Sequence, residues 1–236
     1  RFETASAMLP TYTAIGGAHT CGYPPITQAQ LLRTVAYKAL RAHSAVRRLQ
    51  NSCLVGAGPT YPACCLPYFV PPSTRFATLE FVSSLRANER LHLFHLARMI
   101  RLLQERSVTL VLLNLIPREP SLAGSRGYAA TAEKLEAVAA DAGVPVLTIT
   151  YGGNASLWAT ESTLNQLGHR VVGEAAAKAL LQARRAARTR GAARRAGEER
   201  WAQGANFECT ARRVVAVLPK FARSLPLCNG SSYSTT

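Results

Sequence analysis

Residues 108–116, Val-Thr-Leu-Val-Leu-Leu-Asn-Leu-Ile, are almost continuously apolar. A strand with one wet face alternates, whereas a strand like this must be covered on both faces. In a chain of ordinary domain size that calls for a parallel sheet sandwiched between helices. The remaining segments supply the partners. A β-prone run at 11–16 closes on Gly16-Gly17, and after Pro24-Pro25 a helical pattern over 27–49 carries Leu31, Leu32, Val35, Leu40 and Val46 on one stripe. A second short run, 52–55, ends in the turn Gly56-Ala57-Gly58-Pro59. A third, 78–83, leads into a helix over 87–106. A helix over 128–142 ends at Gly143, 145–150 is a fifth strand, and a helix over 164–195 drifts from apolar to basic. This alternation predicts an α/β fold, a three-layer α/β/α sandwich around a five-stranded, mostly parallel sheet, with its site at the carboxyl ends of the strands.

The pattern changes near residue 183, where arginines crowd an alanine-rich stretch. The expected organisation is a domain over 1–182, a basic extension over 183–200 and a cysteine-containing tail over 201–236. The net charge is +15, which raises binding of anionic polymer or nucleic acid through the Arg-rich segment. Against nucleic acid, that segment lacks the interleaved aromatics of single-strand binders. Only Lys38, Lys134, Lys178 and Lys220 are lysines, so the arginines also fit a composition bias. The apolar runs are too short to span a membrane, and a chain beginning at Arg1 reads as a processed or truncated piece.

The cysteines, Cys21, Cys53, Cys64, Cys65, Cys209 and Cys228, show no C-x-x-C spacing. Disulfides are therefore expected in preference to a metal site, with Cys209 and Cys228 paired inside the tail. The sequons at Asn154 and Asn229 are expected to carry glycans, which places the chain in the secretory pathway or outside the cell. No motif calls for a cofactor.

Four blocks of sequence resemble the SGNH/GDSL-type hydrolases. Gly16-Gly17-Ala18-His19-Thr20-Cys21-Gly22 stands after the first strand, where that family carries G-D-S-x-T-x-G. Asn51-Ser52-Cys53-Leu54-Val55-Gly56 is similar to the second block, and Cys65-Leu66-Pro67-Tyr68-Phe69-Val70-Pro71 resembles a C-L-x-x-H-V-P stretch of algal members. Residues 79–89 resemble the third block, G-x-N-D, of which Asn88 survives. In the last block, D-x-x-H followed by G-H, Thr160 and Thr163 occupy the acid and base positions ahead of Gly168-His169. The resemblance implies the family's fold, a flavodoxin-like strand order, esterase ancestry on sugar esters, and an oxyanion hole formed by the Gly56 amide and Asn88.

Ester hydrolysis by this route needs a hydroxyl nucleophile, an imidazole base, an orienting carboxylate and oxyanion donors. At the positions implied by the resemblance, Gly17-Ala18 replaces Asp-Ser, and Thr160 and Thr163 replace Asp and His. Asp141 is the chain's one aspartate, at a predicted helix end, so a substitute acid would be Glu161. Four residues are the candidate cleft groups: His19 and Cys21 beside the lost serine, Glu161, and His169, which matches a structural histidine of the family. His92 and His95, three apart on a helix, form a ligand pair in spacing only. The resulting expectation is a domain that has lost esterase activity and binds a carbohydrate or glycoprotein. The enzyme alternative is a divergent esterase acting on acylated carbohydrate, with Ser83, Ser84 or Ser162 as nucleophile.

Overall fold

The computed structural model describes residues 9–22, 27–82, 89–118 and 127–204, with backbone alone at residue 89 and from residue 190 on. Five strands, β1 (Thr11–Gly16), β2 (Arg48–Cys53), β3 (Thr74–Glu80), β4 (Thr109–Ile116) and β5 (Val146–Thr150), form one sheet in the order β2-β1-β3-β4-β5. All four pairings are parallel. This is the expected flavodoxin-like order.

The helices are α1 (Ala18–Cys21), α2 (Leu32–Ala42), α3 (Thr60–Cys64), α4 (Leu66–Phe69), α5 (Glu89–Glu105), α6 (Tyr128–Asp141) and α7 (Gln166–Gly204). Strand β4 shows why three layers form. Leu110, Leu112 and Ile116 enter a core shared with Leu96, Met99, Leu103 and Leu135 of α5 and α6. The alternate residues Val111, Leu113 and Leu115 enter a second core with Leu32, Leu40, Val172 and Leu180 of α2 and α7. Both faces of β4 are therefore dry, as its almost continuously apolar run requires.

Two strands start earlier than the apolar runs predict. β2 begins at Arg48, inside the expected helix over 27–49, because it is an edge strand whose residues Arg-Leu-Gln-Asn-Ser-Cys are mostly polar and only partly buried. The helix that should have continued stops at Ala42. Ser44 takes φ 56°, its N–H reaches the Arg41 carbonyl, and the Ala45 N–H reaches that of Leu40. This paired closure is a Schellman end. Ser107, φ 57°, ends α5 in the same way, with its N–H to Gln104 and the Val108 N–H to Leu103. Gly143, φ 64°, ends α6, its N–H going to Ala140 and that of Val144 to Ala139. Only the glycine is visible as a stop signal in sequence. β3 likewise begins at Thr74 rather than near 78, and the short α3 and α4 were not foreseen.

The chain divides into two compact units, Arg1–Arg188 and Thr189–Thr236. The expected tail, with Cys209, Cys228 and Asn229, lies outside the described residues. No helix among the described residues is long and apolar enough to cross a membrane.

The elbow after β1 is tightly packed. A Cβ added at Gly16 would lie 2.7 Å from the Glu80 carbonyl oxygen and 2.9 Å from Glu80 Cβ, and closer still to Thr20 Oγ1. Gly16→Ala is therefore expected to lose about 1–3 kcal/mol in chemical denaturation. Gly152→Ala, with nothing within 4 Å of its added Cβ, should stay within about 0.5 kcal/mol of the parent. Equal effects at the two sites would contradict the packing described.

Candidate active site

The carboxyl ends of β1, β2 and β3 and the loop after β5 converge on the elbow at Gly16-Gly17-Ala18. Gly17 is the N-cap of α1, and its N–H is held by the Glu80 carbonyl oxygen and by Glu80 Oε2, each at 3.1 Å. The same carboxylate oxygen accepts the Thr20 N–H at 3.3 Å and the Thr20 hydroxyl at 3.2 Å. At the other end of this one-turn helix, the buried Arg33 guanidinium donates to the Thr20 carbonyl and, at 2.6 Å, to Gln28 Oε1. A carboxylate on the amide end and a cation on the carbonyl end match the helix's own charge separation.

Ala18, half-buried at the start of α1, presents a methyl group where the resemblance places a nucleophilic hydroxyl. The next residue turns inward. His19 is 1% exposed, packs edge-on against Trp158 at 5.7 Å, and has neither ring nitrogen hydrogen-bonded. Burial lowers its pKa to about 4. Expected as a cleft residue, it is a neutral core imidazole, since one residue along a helix rotates the side chain by about 100°.

Cys21 is also not a free cleft thiol. It is bonded to Cys53, with Cα atoms 5.2 Å apart, and so fastens α1 to the end of β2. That bond removes the thiolate a cysteine nucleophile would need. The Leu54 N–H reaches the Gly16 carbonyl, and Gly56 follows in an exposed turn at φ 75°. Asn88, Ser83 and Ser84 lie outside the described residues.

The loop after β5 meets the elbow through the Trp158–His19 contact. Trp158 also pairs with Leu164 as an antiparallel bridge, which folds the segment between them into a tight turn. Across that turn the Thr160 and Thr163 hydroxyls are 2.7 Å apart, and the Ala159 N–H reaches the Thr163 carbonyl. A hydroxyl–hydroxyl hydrogen bond thus joins the two positions at which the resemblance implies an acid and an imidazole. Glu161 faces away, its carboxylate 2.5 Å from the Arg118 guanidinium in an exposed ion pair. Asn154 is exposed in the same loop, on the N-cap of a short 3-10 turn, Ala155–Leu157.

Asn165 Oδ1 caps α7 by accepting the Gly168 N–H at 2.8 Å, and its amide nitrogen donates to the Ser156 carbonyl. Gly168 sits so close to the Leu157 carbonyl that no side chain fits there. His169 is fully buried, not in a cleft. Its Nδ1 accepts the Leu32 N–H at 3.3 Å, which leaves the proton on Nε2 and ties α7 to the start of α2. Burial, then the nearby His19 and Arg33, lower its pKa to about 4. On α5, His95 is buried and the His92 ring lies against Gly58; both pKa values are lowered by burial. Among the described residues no third ligand joins them.

Sequence reasoning missed Glu80, Arg33 and Trp158 as site residues. The available signal was Glu80 itself, the one acid of β3, at the strand's carboxyl end. It is completely buried, Oε1 has no hydrogen-bond partner, and desolvation raises its pKa to about 7 against the pull of its three donors.

No protein-family model and no curated protein sequence matches the chain. Solved structures do match. A two-domain esterase (CEX) active on acetylated mannans gives a TM-score of 0.60 at 11% identity, over 74% of this chain and 49% of that one. A putative lipolytic protein of the G-D-S-L family from Desulfitobacterium hafniense DCB-2 gives 0.58 at 16%, over 72% and 98%. The acetyl xylan esterase AlAXEase gives 0.55 at 12%, over 70% and 96%. The chain spans about half the length of the mannan esterase. The class these findings define is an α/β domain with the SGNH/GDSL hydrolase-like fold.

The Glu80 proton gives a pH signature. Between its ordinary value of 4.5 and its folded value of about 7, the folded chain keeps a proton that the unfolded chain has lost. Glu80 therefore subtracts up to about 1.4 kcal/mol of stability per pH unit as pH rises through that window. His19 and His169 act oppositely, costing stability as pH falls from 6.5 towards 4. Glu80→Gln isolates the first effect. Its stability relative to the parent should rise by about 1–3 kcal/mol between roughly pH 5 and pH 8, measured by denaturant unfolding. A difference independent of pH would contradict a protonated Glu80.

Proposed function

We propose that this domain no longer hydrolyses esters and keeps the SGNH-like architecture to bind carbohydrate or a glycoprotein. The observations that carry the reading are the methyl of Ala18 at the elbow and the Thr160–Thr163 hydrogen bond at 2.7 Å in the loop whose Trp158 packs against that elbow's His19. Two hydroxyls of ordinary acidity neither take a proton from a nucleophile near neutral pH nor hold an imidazolium. Ser162, the described alternative nucleophile, approaches Thr160 Oγ1 at 3.5 Å and not an imidazole.

The ligand class is supported from two directions. The structural neighbours include enzymes named for acetylated mannans and acetyl xylan. Beside the vestigial turn, between the first residues of α2 and α7, lies a hollow of about 460 Å³ lined in part by Gln30, Gln166 and Arg170, amide and guanidinium groups suited to sugar hydroxyls. The Cys21–Cys53 disulfide and the exposed sequon at Asn154 fit a secretory or extracellular setting.

The unmodified chain should hydrolyse p-nitrophenyl acetate and acetylated manno-oligosaccharides no faster than a matched inert protein, while a manno-oligosaccharide titration gives saturable binding. Gly17→Asp, Ala18→Ser, Thr160→Asp and Thr163→His combined should restore measurable esterase activity, within the roughly hundredfold penalty of an ångström-scale misplacement. Saturable turnover by the unmodified chain, abolished by one serine substitution, would overturn the loss of catalysis. Absence of saccharide binding would overturn the binding role.

A further inference from the structure

The opposite end of the sheet carries a second, unrelated site. A cavity of about 460 Å³ opens at the amino ends of β1, β2 and β3. Arg75 comes from the start of β3, His43 from the end of α2, and Arg184, Arg185 and Arg188 from α7. The parallel architecture brings them together, because helices that run antiparallel to the strands reach the level of the strands' amino ends, α2 at its last residues and α7 about midway along its length. No carboxylate is among the described residues that line the cavity. One acid, Glu174, lines an adjoining hollow of about 360 Å³ that shares His43 and Arg185.

We propose that this cavity binds a saccharide carrying sulfate or phosphate esters. Planar guanidinium groups converging from two elements suit multidentate recognition of such oxyanions. Burial, then the Arg188 and Arg75 charges, depress the Arg184 pKa, so these cations repel one another until an anion sits among them. The volume lies within the range of small-ligand pockets and exceeds what a single oxyanion fills. Leu181, Pro10 and the Phe76 edge give it an apolar wall for the C–H face of a sugar. A nucleic acid fits less well. The Phe76 ring already lies under the Arg184 guanidinium, 6.0 Å from its centroid, and is not available to stack a base.

The test is calorimetric titration of the full 236-residue chain near physiological ionic strength. The probes are sucrose octasulfate, fructose 1,6-bisphosphate, unsubstituted sucrose and a single-stranded DNA oligonucleotide. The comparison is between two double variants at exposed positions, Arg75→Gln with Arg188→Gln in the cavity and Arg98→Gln with Arg101→Gln on α5. Each removes the same charge, and both keep the basic stretch beyond residue 189. The cavity pair should weaken binding of the octasulfate, the bisphosphate or both by about tenfold or more, and the α5 pair by less than about twofold. Whichever probe responds identifies the sulfated or the phosphorylated source. The proposal is overturned if the two double variants lose affinity equally, if neither substituted sugar binds, or if the oligonucleotide loses affinity as much as the sugars do.

Discussion

The elbow of this domain depends on one buried carboxylate. Glu80 sits at the end of β3 with no exposure to water and spends one oxygen on two backbone amides and a hydroxyl of the turn after β1. Burying an unpaired carboxylate is costly; here three donors offset part of that cost and a proton near pH 7 offsets more. Everything at the carboxyl end follows from that clamp. It holds α1, α1 holds the Cys21–Cys53 bond to β2, and Arg33 reaches from α2 to close the helix. His169 then joins α2 to α7. None of these contacts involves the Ala18 side chain, so they hold the elbow whatever residue stands there.

The layers were legible because β4 is almost continuously apolar and the intervening segments carry helical stripes, and the strand order came from the family resemblance. The edge strand was not, since β2 is polar and half-solvated and gives no apolar run to read. Ser44 and Ser107 end helices in the left-handed conformation, a role that glycine advertises and serine does not, so the helix over 27–49 seemed longer than it is.

At the site, the resemblance pointed to the elbow and to the 160–163 turn, and the structure packs His19 of the elbow against Trp158, which precedes that turn. What sequence adjacency could not give was direction. His19 and His169 stand beside motif positions yet point into the core, where desolvation keeps both neutral. Glu161 is next to the acid position and points to Arg118. Glu80 passed unnoticed because one acid inside the short run 78–83 carries no catalytic spacing that would single it out.

The two ends of the sheet carry opposite chemistry: neutral hydroxyls and a methyl at the carboxyl end, converging guanidinium groups at the amino end. The central claim concerns the former, that no activated nucleophile remains on a hydrolase scaffold. Exposure to a fluorophosphonate probe followed by intact-mass and peptide analysis tests it without choosing a substrate. The account predicts an unchanged mass for the native chain. A stoichiometric adduct on a single serine or threonine, lost on denaturation before labelling, would contradict it.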